Sequence, residues 1–158
     1  MIIADPKPFG QVKGYVESFE KILIVGCGTC TTVCLAGGEA EAQILASGLR
    51  IAFGKDSQSK TILEDCVQRQ CDEEFILPIL SRVENEKIDA VVTLACGVGL
   101  NFLADRLGRY QSFRGLILLF TAQRLGWDIG QRCAPVVENA LRPLPAEYAL
   151  SRAARSTF

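Results

Sequence analysis

Three cysteines within eight residues are the most chemically loaded feature of this chain. Cys27, Cys30 and Cys34 stand in the stretch Gly26-Cys27-Gly28-Thr29-Cys30-Thr31-Thr32-Val33-Cys34, directly after the apolar run Ile22-Leu23-Ile24-Val25. That run has the length and composition of a strand, and the segment beyond it has helical spacing. Wound straight into a helix, positions 27, 30 and 34 would fall at i, i+3 and i+7 and share one face. A helix N-terminus would add N–H groups and a positive dipole end, both favouring thiolate over thiol. Such a place suits a soft metal.

Two further motifs repeat the theme. Cys71 lies in Arg69-Gln70-Cys71-Asp72, ahead of a helical pattern, and Cys96 closes an apolar strand in Leu94-Ala95-Cys96-Gly97-Val98-Gly99. Cys27, Cys30, Cys34, Cys71 and Cys96 are therefore the candidate metal ligands, one more than the four thiolates an iron-sulfur cubane takes. The chain has no histidine, which excludes imidazole base catalysis, His-ligated zinc, Rieske centres and His-ligated haem within it. Glycines beside Cys27 and Cys96 would let the backbone approach closely and aim N–H groups at sulfur. Zinc on four cysteines fits the ligand chemistry, although only one C-x2-C pair is present. A thiol redox protein would need no metal and would use a low-pKa cysteine, Cys27 or Cys30. Cys66 and Cys133 read as buried free cysteines acting as small hydrophobes. A dinucleotide site at Gly26-x-Gly28 lacks its third glycine, where Thr31 stands, and lacks an acid about 20 residues on.

The elements that must position these cysteines follow from periodicity. Residues 1 to 20 read as a loose arm and a short helix, and Lys21 to Val25 as a central strand covered on both faces. Glu39 to Phe53 reads as an amphipathic helix, acidic at its start and stopped by Gly54. Thr61 to Leu63 is the second strand, followed by a polar segment holding Cys66 and Cys71. A helix from Glu73 to about Lys87 contains Pro78 as a kink. Ile88 to Ala95 is the third strand, Leu100 to Leu107 a short helix, and Leu116 to Phe120 the fourth strand. Strands alternating with helices predict an α/β fold, a short parallel sheet flanked by helices, with the cysteine site at the strand carboxyl ends.

Composition narrows the partners. With 17 basic and 18 acidic side chains, there is no electrostatic case for nucleic acid or an anionic membrane. No signal peptide is legible and no apolar run approaches the ~20 residues of a membrane span. The expectation is a cytoplasmic protein whose clustered cysteines bind metal or do redox chemistry.

The stretch Val25 to Glu39 resembles the signature of the small iron-sulfur subunit that accompanies methylenetetrahydrofolate reductase in acetogens and related anaerobes. Arg69 to Asp72 and Leu94 to Gly99 resemble that family's second and third cysteine motifs, in the expected order. The resemblance covers about residues 1 to 114. It implies an electron-transfer subunit carrying an iron-sulfur cluster of the 4Fe-4S kind, ligated from among the five cysteines. It implies as partners the flavin-containing catalytic subunit and further electron-transfer subunits, with the folate chemistry of one-carbon metabolism left to the catalytic chain. Beyond Arg114 the likeness ends. The family has Pro-Gly-Leu-Asn-Thr-Thr-Phe and a cysteine-rich tail, where this chain has Gly115-Leu116-Ile117-Leu118-Leu119-Phe120 and a single Cys133. Codons for Leu-Asn-Thr-Thr-Phe read one base late can spell Leu-Ile-Leu-Leu-Phe. The expectation is thus a cysteine-motif domain at residues 1 to 114, then a divergent, frameshifted segment at 115 to 158 whose fourth strand is accidental and whose end is disordered.

Overall fold

The computed structural model describes residues 2–55, 59–107, 115–118, 120–124 and 127–128. The elements run β1 (Ile2–Pro6), α1 (Phe9–Val16), β2 (Lys21–Cys27), α2 (Cys30–Val33), α3 (Glu39–Lys55), β3 (Thr61–Val67), α4 (Glu73–Asn85), β4 (Ala90–Thr93), α5 (Gly97–Leu107) and β5 (Gly115–Leu118). Two short strands follow, β6 (Phe120–Arg124) and β7 (Trp127–Asp128). Strands β3, β2, β4 and β5 form a parallel sheet in that order. A separate antiparallel sheet pairs β1 with β6 and β6 with β7. This is the α/β class that the alternation of strands and helices predicts.

The unbroken apolar run of β2 is explained by burial on both faces. Ile22 and Ile24 pack with Val12 and Val16 of α1 and with Ala42, Leu45, Ala46, Leu49 and Phe53 of α3. Leu23 and Val25 pack with Ile76, Ile79, Leu80 and Val83 of α4 and with Leu100, Leu103 and Leu107 of α5. Successive side chains of one strand thus feed two cores, as the period of two requires. Among the described residues no helix is long and apolar enough to cross a membrane.

Several expectations change. The arm at residues 1 to 20 contains a strand, β1, ahead of its helix. The second strand continues through Glu64, Asp65 and Cys66 to Val67. Its polar residues are tolerated because β3 borders the sheet with β2 as its neighbour. Arg50 of α3 pairs with Glu64, and Arg82 of α4 lies 2.8 Å from Asp65. Gly54 does not stop α3, which runs on to Lys55. The third strand stops at Thr93, and α5 starts three residues early, at Gly97. The fourth strand is β5, in parallel register with β4, but it ends at Leu118, and Phe120, expected at its end, opens β6 of the other sheet. Cys133 and the end expected to be disordered lie outside the described residues.

Candidate metal centre

The first cysteine loop does not wind directly into a long helix. Cys27 is the last residue of β2, and Cys30 to Val33 make only one helical turn. That turn is closed by Cys34 and by Leu35 at φ 52°. Leu35 N–H donates to Thr32 O and Ala36 N–H to Thr31 O, both at 2.9 Å. This is the Schellman pattern, which normally places glycine where Leu35 stands. The chain then returns to the strand, where Cys27 N–H donates to Gly37 O at 2.8 Å. The hydroxyls of Thr31 and Thr32 donate to Cys27 O at 2.9 and 2.7 Å. A closed loop holds the three cysteines, and the shared helical face expected for 27, 30 and 34 is not formed. Cys27 is buried, while Cys30 and Cys34 are exposed.

Glycine explains how this loop closes. A Cβ on Gly26 would stand 2.7 Å from Gly38 O and 3.1 Å from Cys66 Sγ, so the two backbone segments meet there. Gly38 N–H donates to Glu41 Oε2 at 2.8 Å, half of a capping box that starts α3. Gly26, beside Cys27, thus gives the close backbone approach expected of the glycines next to sulfur, while the others do not. Gly28 has only ordinary contacts and a Cβ on Gly97 would meet nothing. The N–H groups of Cys27 and Gly28 are taken by Gly37 O and Val67 O. Close approach in the third motif occurs instead at Gly99, where a Cβ would lie 2.8 Å from Ala95 Cβ and 3.2 Å from Gln70 Cβ.

The second motif precedes α4, whose N-cap is Asp72: its carboxylate accepts from Glu74 N–H at 3.2 Å. Cys71, next to the cap, is exposed. Cys96 lies between β4 and α5, and its carbonyl accepts from Leu100 N–H at 3.0 Å. The first and third loops approach each other at Cys30. Although Cys30 is exposed as a residue, partial desolvation of its thiol pushes it up, and the charges of Cys96 and Cys27 together with a thiol hydrogen bond to Cys96 push it further. Burial likewise raises Cys66, followed by the charges of Glu39 and Cys27. The dipole-favoured thiolate expected in this loop is therefore not realised at Cys30. One helical turn carries little macrodipole, and neighbouring sulfurs oppose it.

Of the five proposed ligands, Cys27 and Cys96 both act on Cys30, which relates the first and third motifs. Cys34 and Cys71 are exposed on loops of the first and second motifs, and no described contact joins them to that trio. Among the described residues, no group of three or more Cys, Asp or Glu side chains is arranged as a coordination shell. The donor set fits an iron-sulfur cluster in chemistry, since all five are thiols, but it is not preassembled. Cys66, expected as a buried core residue, is only half-buried. Its backbone lies opposite Gly26 in the β2–β3 register, one step from Cys27. The signal that could have placed it was the length of β3, which its polar residues concealed. Compared with known proteins, the chain matches no family model, no curated protein and no solved structure.

Proposed function

We propose that the protein is a cytoplasmic iron-sulfur electron-transfer subunit that partners the flavin-containing catalytic subunit of a methylenetetrahydrofolate reductase. The observation that carries the reading is the placement of Cys27 at the end of β2 and of Cys96 three residues beyond the end of β4, its parallel neighbour, which brings two cysteine motifs 69 positions apart to one edge of the sheet. The resemblance of the three cysteine motifs supplies the particular partner. Cys27, Cys30, Cys34, Cys71 and Cys96 would hold the cluster. When bound, it supplies a one-electron carrier whose charge is delocalised.

The chain's own residues do the positioning. Buried Cys27 would anchor the group against β2, and the threonines that clamp its carbonyl keep the loop closed. The exposed cysteines lie on loops whose closure would complete ligation. Large apolar side chains on the same loops stand in solvent: Val33 is 83% exposed, Leu35 82% and Val98 68%. A partner subunit seated there would cover them and bring its flavin near the sulfurs, shielding the transfer from water. A thiol redox reading that uses Cys30 is weakened by its raised thiol, which is the opposite of an activated nucleophile.

The test is anaerobic purification followed by a visible spectrum and assays of iron, zinc and acid-labile sulfide. The expected result is colour that dithionite bleaches, with iron and sulfide in about equal amounts. Serine at Cys27 should remove it. A colourless protein holding zinc overturns the proposal in favour of a structural module, and metal-free protein with a reactive thiol overturns it in favour of a redox enzyme.

A further inference from the structure

Strand β2 runs past its neighbour. Its pairing with β4 ends at Val25 opposite Thr93, while its pairing with β3 continues to Cys27. Beyond that pairing one backbone bond continues, from Leu94 N–H to Val25 O at 2.9 Å, and a carbonyl has a second lone pair for a further donor. A side chain supplies it. Gln70 is fully buried, and its amide nitrogen donates to Val25 O at 2.9 Å and to Gly26 O at 3.0 Å. Its amide oxygen accepts from Thr93 Oγ1, also fully buried. Thr93 Oγ1 in turn accepts from Ala95 N–H at 3.2 Å. Both amide protons, the amide oxygen and the hydroxyl are used.

The placement of this network is its significance. Gln70 precedes Cys71, its carbonyl partners precede Cys27, and the chain from Thr93 to Ala95 precedes Cys96. One side-chain pair therefore joins all three cysteine motifs, and Gly99 leaves room for it, since a Cβ there would lie 3.2 Å from Gln70 Cβ. We propose that Gln70 and Thr93 are positioning residues for the cysteine centre, setting Cys27, Cys71 and Cys96 relative to one another across the ends of β2 and β4. A pair serving only core stability would be met as well by apolar side chains of the same shape; a polar pair fixes direction as well as distance. This inference rests on the metal-centre reading for its purpose but not for its geometry.

The experiment compares the full chain with Thr93→Val, Thr93→Ser and Gln70→Glu, and with Val83→Ala as a control for destabilisation in the core between α4 and the sheet. The first readout needs no metal: the rate at which iodoacetamide labels buried Cys27 under native conditions, followed by peptide mass spectrometry. The second is iron and sulfide bound after anaerobic reconstitution. Thr93→Val and Gln70→Glu should label Cys27 about tenfold faster than the unchanged chain, as expected for a lost buried hydrogen bond that governs local opening. They should also bind less iron and sulfide than Val83→Ala of matched thermal stability, and Thr93→Ser should restore both properties. Labelling of Cys27 in Thr93→Val no faster than in Val83→Ala overturns the proposal. If the unchanged chain binds neither iron nor sulfide, the iron-sulfur reading fails, and the labelling comparison still decides the positioning role.

Discussion

Leu35 departs most clearly from what its residue type prefers. It holds φ 52° with 82% of its surface exposed, so it bears left-handed strain without the burial that would offset it. That conformation costs a residue with a Cβ about 1–2 kcal/mol. Leu35→Gly should therefore raise stability, by about 1 kcal/mol once glycine's extra chain entropy is deducted. Urea denaturation measures it, and an unchanged or lower midpoint would contradict the strain argument. If Leu35 is part of a partner-covered surface, the same substitution weakens association while stabilising the chain. The thiols offer a second test at this scale. In metal-free folded protein, Cys34 and Cys71 should alkylate readily and Cys27 only slowly, because the first two are exposed and the last is buried. Equal rates at Cys27 and Cys34 would show the closed loop to be wrong.

Helix starts decide where the second and third motifs sit. Asp72 caps α4 beside Cys71, and Asp72→Ala should cost about 1 kcal/mol in thermal or urea unfolding. Loss of that size at a surface residue would confirm that the cap holds the Cys71 loop. In the first turn of α5 the two glycines behave differently. Gly97→Ala has open space and should be neutral or stabilising by up to about 1 kcal/mol, since alanine is the better helix former. Gly99→Ala meets Ala95 Cβ at 2.8 Å and should cost about 1–3 kcal/mol through overpacking. Urea midpoints in the reverse order would refute the close packing of α5 on the third motif. Lys87, at φ 52°, ends α4 by the same pattern as Leu35: Ile88 N–H donates to Val83 O at 3.0 Å and Lys87 N–H to Glu84 O at 3.3 Å. Here the buried contact of Ile88 and Val83 offsets the strain.

The two cores of the molecule share β2 and β4, so neither stands alone. Leu49→Ala on one face and Ile76→Ala on the other should each cost about 2–5 kcal/mol. Both should shift a single unfolding transition, followed by circular dichroism and by tryptophan-independent thiol exposure alike. Two separated transitions would mean that one helical layer folds without the other. Joined by one sheet, the layers fix the ends of β2 and β4 on which Cys27 and Cys96 depend.

Sequence alone determined the class of fold and the alternation of elements, because a strand buried on both faces must be apolar throughout and helices must repeat near 3.6 residues. It also determined which residues could hold a soft metal, because the chain carries thiols and no imidazole. What it could not determine was whether those thiols meet. Local spacing suggested one helical face for Cys27, Cys30 and Cys34, but the single turn of α2 and the return of Gly37 to Cys27 replace that face with a closed loop. The polar character of Glu64 to Cys66 concealed a strand, since its partners Arg50 and Arg82 are supplied by helices distant in sequence. Nor could the sequence show that Gln70 and Thr93 meet: the Gln70 amide reaches Val25 O, already bonded by Leu94 N–H, and Gly26 O because β2 outruns β4. Which side chain can reach a strand end is set by where the neighbouring strand stops, and only the tertiary structure decides that.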